Sequence, residues 1–495
     1  MVFARLLRNH IALVILTSLT SVSSSTLRLN TTSGILQGFS PYPGVDAFFG
    51  IPFAQPPVGD LRFAPPAPFE PKSPDEVLDT TQTPPTCYQI SYITSASDKY
   101  SGVSEAEDCL TINLWKPSNA TGNLPVIAWL YGGGFISGGN SLAPYDARRF
   151  VSEQRDIIFA SINYRVNIFG FPNTPALTTK NIGLLDQRLA LEWLRTNIAS
   201  FGGDPSRMTL MGHSAGSISA ALLSYAHVED PIVSSLIELS GQPGLIPSDD
   251  GSSWEHVANT TGCANTENRL AEVACLRALP PRSLKRAITP NNTPTIAEGV
   301  AAGAPVVDNV TVFDPSEIAR RGREGAFAKL PLLVTHTTHE SDSILPADPV
   351  VGVNHTLSDL ITLTGQHCPV AAAAGYWAAQ GVPTWRYLFD GVFDATRPYD
   401  WIRSYHGSDN NLIFSGEQLF AWEEPSKEAL EAGRYLRAAI AAFVRDPVNG
   451  LERFGWPRYT GEGKTLVRLF SNQTASVEFD DPTDYDAPCA QLQSS

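Results

Sequence analysis

Residues 126 to 225 alternate short apolar runs with stretches of helical spacing, and this alternation limits the fold more than any other feature of the chain. VIAWLY (126–131) and DIIFASINY (156–164) read as strands. In NIGLLDQRLALEWLRTNIAS (181–200), Leu184, Leu185, Leu189, Leu191, Trp193 and Ile198 recur at helical spacing. RMTLM (207–211) is strand-like, and 215–225 is an Ala/Leu-rich helix. Strands separated by helices pair through crossovers, which predicts an α/β fold: a mostly parallel sheet with helices on both faces. Further strands are expected at 236–239, 330–335, 384–389 and 465–470, and an amphipathic helix at 427–445, stopped by Pro447. The 495 residues, 43% of them hydrophobic, suffice for a large core, and no shift in composition forces a second domain. One domain is therefore expected over 24–495.

The first residues place Arg5 and Arg8 before an apolar run from Ile11 to Leu16, with serines after it. That pattern reads as a secretory signal peptide over about 1–23, too short to span a membrane. No later segment is a transmembrane candidate, and CAQLQSS is not a lipid-anchor tail. Six cysteines and seven glycosylation sequons, at Asn30, Asn119, Asn259, Asn291, Asn309, Asn354 and Asn472, agree with a secreted protein. Six cysteines allow 15 pairings. Local bonds within Cys87/Cys109 and Cys263/Cys275 are the simplest choice, leaving Cys368 and Cys489. The net charge of −15 would repel phosphate backbones, so no nucleic-acid partner is expected.

The strand at 207–211 runs into Gly212-His213-Ser214-Ala215-Gly216 and then a helix. A turn that lifts a serine off a sheet has no room for side chains two residues either side, and Gly212 and Gly216 meet that demand. Ser214 is thus a candidate nucleophile. Its oxyanion needs N–H donors: Ala215, directly after it, and the glycine loop Gly132-Gly133-Gly134 after the first strand. In this arrangement the acid and then the histidine follow the serine in the chain. His406, in the loop-like SYHGSDNNLIFSG, is the best base. Glu340, past LPLLVTHTTH, is the acid, and Asp342 is the alternative. His336, His339 and Glu340 form H-x-x-H-E, which matches neither zinc-protease helix pattern. No metal or cofactor is expected.

FFGIPFAQPPVGDLRFAPP (48–66), EDCLTINLWKP (107–117), YGGGFISG (131–138), INYRVNIFGF (162–171) and the long run 181–216 together resemble the type-B carboxylesterase/lipase family, the cholinesterase-like branch of the α/β-hydrolases. The resemblance implies Ser214 as nucleophile, Glu340 as acid, His406 as base, and Gly133, Gly134 and Ala215 as oxyanion donors. It implies disulfides Cys87–Cys109, Cys263–Cys275 and Cys368–Cys489 and an Arg62–Glu107 ion pair. Two departures stand out. His213 occupies a position that is often Glu, and the Cys87–Cys109 loop has no tryptophan to attract a quaternary ammonium. Both disfavour a cholinesterase.

The expected function is hydrolysis of a small-molecule carboxylic ester through an acyl-enzyme. A triglyceride lipase, or an acyltransferase or lactonising esterase, could use the same residues. A binding protein that has lost catalysis is the alternative from another class.

Overall fold

A computed structural model describes residues 27–73, 75–90, 103–245, 250–289, 303–414 and 424–492. The expected signal peptide and Asn291 lie outside these. Strands β1 (Arg28–Thr31) and β2 (Gly34–Gln37) come first among the described residues. β3 (Phe39–Tyr42) and β4 (Val45–Pro52) follow, then β5 (Val77–Asp79), β6 (Thr111–Pro117), β7 (Leu124–Leu130) and β8 (Ile158–Ile162). The second half supplies β9 (Gly203–His213), β10 (Ser235–Leu239), β11 (Leu332–Thr337), β12 (Thr384–Phe389), β13 (Leu466–Leu469) and β14 (Val477–Asp480). β1, β2 and β5 make a small separate sheet. The other strands form an 11-stranded sheet in the order β14-β13-β12-β11-β10-β9-β7-β8-β6-β4-β3.

The centre of that sheet, from β8 through β13, is parallel. Its edges, β3-β4-β6-β8 and β13-β14, are antiparallel. Strands covered on both faces should read as continuous apolar runs. β8, β10, β11 and β12 have every residue buried, although β10 carries Glu238, β11 His336 and β12 Arg386 among their apolar residues. The helices between strands include α1 (Ile182–Asn197), α2 (Ala215–Ala226) and α3 (Lys427–Arg445). α3 starts where the Ser426 side chain accepts a hydrogen bond from the Ala429 N–H. Among the described residues, no helix is long and apolar enough to cross a membrane.

Disulfides join Cys87 to Cys109, Cys263 to Cys275 and Cys368 to Cys489. Arg62 grips Glu107 with two hydrogen bonds of 2.6 and 2.7 Å. Its remaining nitrogen donates to the carbonyls of Leu276, Arg277 and Leu279. A second apolar cluster, including Phe63, Tyr88, Ile136, Phe169, Trp254 and Leu276, ties the helices of 252–288 to the glycine loop. The sequon asparagines Asn30, Asn119, Asn259, Asn309, Asn354 and Asn472 are all exposed.

Candidate active site

Parallel strands end on the same side of a sheet, and ligands gather beyond their carboxyl ends. Four of these ends supply the site. β7 runs into the glycine loop, β9 into Ser214, and β11 into Glu340; the chain after β12 returns with His406.

Ser214 is the N-cap of α2, at φ 54° and ψ −120°. Few non-glycine residues hold a positive φ, and such strain persists only where the surroundings impose it. Here the Ser214 N–H donates to the Leu239 carbonyl at 2.8 Å. The flanking glycines allow the turn by close approach. A Cβ on Gly212 would stand 2.2 Å from the Gly216 carbonyl oxygen, and one on Gly216 would stand 2.1 Å from that of Leu130. Ser214 is partly exposed.

The glycine loop meets the serine: a Cβ on Gly132 would lie 2.8 Å from the Ser214 Cβ. Gly133 has φ +123°, and a Cβ there would fall 2.4 Å from the Ser137 carbonyl oxygen. The loop is braced from beneath. The Gly138 N–H donates to Gln89 Oε1 at 2.9 Å, and the Ile90 N–H to the Ile136 carbonyl at 3.0 Å. Tyr131 and Tyr164 stack with ring centroids 4.4 Å apart, each hydroxyl donating to the other residue's carbonyl. The N–H groups of Gly133, Gly134 and Ala215 donate to no protein atom among the described residues.

His406 Nδ1 lies 2.5 Å from Glu340 Oε2. The other carboxylate oxygen, Oε1, accepts the Thr337 N–H at 2.7 Å. The His406 N–H adds a bond to the Glu340 carbonyl at 3.2 Å. Glu340 is fully buried, and His406 is partly exposed. Asp342 is turned elsewhere. It binds Arg403 through both oxygens, at 2.8 and 2.9 Å, and accepts from Ser358 at 2.6 Å. The three side chains of H-x-x-H-E likewise separate. His336 meets His367 at 3.0 Å, His339 meets Asp359 at 3.1 Å, and Glu340 meets His406. The Ser214 hydroxyl makes no hydrogen bond to His406 among the described contacts; such bonds are often loose until substrate is bound.

The profile of the carboxylesterase family matches residues 25–350. The chain belongs to the carboxylesterase family. Its α/β sheet is that of the α/β-hydrolases, and it is a carboxylic ester hydrolase acting on small-molecule esters. A chlorogenic acid esterase of Aspergillus niger is 33% identical over 440 residues, covering 86% of this chain and 83% of its own. Secreted lipase 5 of Gibberella zeae is 32% identical over 510 residues, covering 92% of each chain. An acetylcholinesterase of Bungarus fasciatus is 29% identical over 520 residues, covering 91% of this chain and 84% of its own.

This carboxylesterase also holds a group that sequence reasoning missed. Asp409 is fully buried, accepting from the Tyr387 hydroxyl at 3.3 Å and from the Asn410 N–H at 2.9 Å. Burial, and then the charge of Glu340, raise its carboxyl to about 7. The only signal in the sequence was its place three residues after His406, at the start of the helix Ser408–Phe414.

Proposed function

We propose that this carboxylesterase is a secreted serine esterase that works through an acyl-enzyme on Ser214, with His406 as base and Glu340 as the orienting acid. The observation that carries the reading is the 2.5 Å Glu340–His406 hydrogen bond beside a serine held at φ 54°. A buried carboxylate accepts a hydrogen bond from Nδ1–H, which leaves Nε2 as the acceptor for the serine proton. As Oγ attacks the ester carbonyl, charge grows on the carbonyl oxygen, and the N–H groups of Gly133, Gly134 and Ala215 receive it. His406 then protonates the leaving alcohol oxygen as the C–O bond breaks. Water gives a proton to the same Nε2 and attacks the acyl-serine; the C–Oγ bond breaks, Nε2 returns the proton to Oγ, and the acid is freed. Activity should therefore fall in acid, where a protonated His406 cannot act as base.

Three disulfides, the apolar run behind Arg5 and Arg8, and six exposed sequon asparagines support secretion with N-glycosylation. The name of the Gibberella zeae relative agrees. Residues 24–495 are read as one domain. The relatives are named for a phenolic ester and for lipase activity, so acyl-chain preference is the property to measure. His213 beside the nucleophile and a 87–109 loop without tryptophan weigh against choline esters.

The test is hydrolysis of p-nitrophenyl esters from acetate to palmitate by wild type and Ser214→Ala. The substitution should reduce kcat by about 10⁴-fold or more. A peak at short acyl chains identifies an esterase, and a peak at long chains with activation by an oil–water interface identifies a lipase. Undiminished turnover in Ser214→Ala would remove the serine from the mechanism.

A further inference from the structure

His213 borders the site, yet the acyl-transfer steps do not use it. It ends β9 and is only 7% exposed. Neither of its ring nitrogens has a hydrogen-bond partner among the described residues. Leaving buried polar groups unpaired is costly, so the position of this ring calls for a reason. Its packing supplies one. The ring lies against that of His406, with centroids 4.6 Å apart and planes at 39°. Two backbone segments close around it. A Cβ on Gly132 would stand 2.8 Å from Nδ1, and a Cβ on Gly407 would stand 3.1 Å from Cε1 and 3.2 Å from Nε2. The imidazole is thus held between the start of the glycine loop and the residue that follows the base.

We propose that His213 is a positioning residue for the base: an uncharged ring clamped against His406, which steadies it toward Glu340 and keeps negative charge off its other face. The inference rests on the reading of Ser214, Glu340 and His406 as the triad. Among the described residues, the titratable groups that face His406 come from three elements. Glu340, past β11, meets Nδ1; Asp409 acts from the helix Ser408–Phe414; and His213 covers the ring from the end of β9. Burial, and then repulsion by His406, hold His213 well below the usual imidazole range, so it stays neutral in mild acid. Asp409 takes up a proton near pH 7, which removes its charge from beside the base in acid. Another carboxylate would stabilise protonated His406 and leave less free base at a given pH.

The experiment is a set of pH–rate profiles for p-nitrophenyl acetate hydrolysis by wild type, His213→Gln and His213→Glu, with Ser214→Ala as control. His213→Glu should move the acid limb of kcat/KM up by about one to three pH units, the usual effect of an opposite charge at this range. His213→Gln should leave the limb where wild type has it and lower kcat several-fold, because the base loses its packing. If His213→Glu does not fold, His213→Asp places the same charge in a smaller volume and reads the same limb. Coincident limbs in wild type and the folded carboxylate variant would overturn the proposal. A fully active Ser214→Ala would instead overturn the triad reading, so the two failures are distinct.

Discussion

Ser214 keeps a backbone conformation that costs on the order of 1–3 kcal/mol, and its neighbours hold it there. Glu340 and Asp342 show how contacts separate two similar residues. Glu340 and Asp342 are both buried carboxylates past β11, but their partners differ. Glu340 meets an imidazole, whereas Asp342 meets the Arg403 guanidinium. Glu340→Gln should therefore lower kcat by about 10³–10⁴-fold while the fold survives, since the Thr337 N–H can still donate to an amide oxygen. Asp342→Asn should spare kcat and lower the urea midpoint, because it weakens a part-buried pair. Steady-state kinetics beside urea unfolding separates the two, and the opposite pattern would make Asp342 the acid.

At the scale of elements, β10 carries a group with a stability signature. Glu238 lies within this buried strand, and its one hydrogen-bond partner among the described residues is the Gln242 amide, at 2.5 Å. Burial raises its carboxyl from 4.5 to about 8. The folded protein thus keeps a proton that the unfolded chain releases between these values. Unfolded chains then bind fewer protons, and stability falls as pH rises through that window. The contribution is complete below pH 4.5 and is lost as pH passes about 8. Melting curves from pH 5 to 9 should show a decline of a few kcal/mol at most that Glu238→Gln flattens. An unchanged slope in the variant would place the pH dependence elsewhere.

At the scale of the molecule, covalent and ionic ties hold the C-terminal helix to the sheet. Cys368–Cys489 spans 121 residues and fixes the C-terminal helix Pro482–Leu492. That helix carries Asp486, which receives Arg386 of β12 at 2.7 Å and His367 at 2.9 Å. Replacing both cysteines with alanine should cost about 2–5 kcal/mol in urea unfolding. Turnover at low temperature should persist, since Ser214, Glu340 and His406 keep their own contacts. Loss of turnover in a folded variant would mean that the C-terminal helix supports the site directly.

Much of this protein was written locally. The strand 384–389 and the helix 427–445 have the bounds their patterns predict, because the strand is rich in aromatic and apolar residues and helix ends are set by nearby residues such as Ser426 and Pro447. β9 begins at Gly203, before the run at 207, and the antiparallel edge strands β3, β4 and β6 carry no comparable signal. They rest on pairing with neighbours that no short window contains. The glycines of the turn and the serine between them were readable in the sequence, since backbone sterics are local. The choice of Glu340 over Asp342 as the residue touching His406, the burial of Asp409, and the clamping of His213 against the base were left to tertiary structure. Each depends on which side chains, tens to hundreds of residues apart, share one water-poor space.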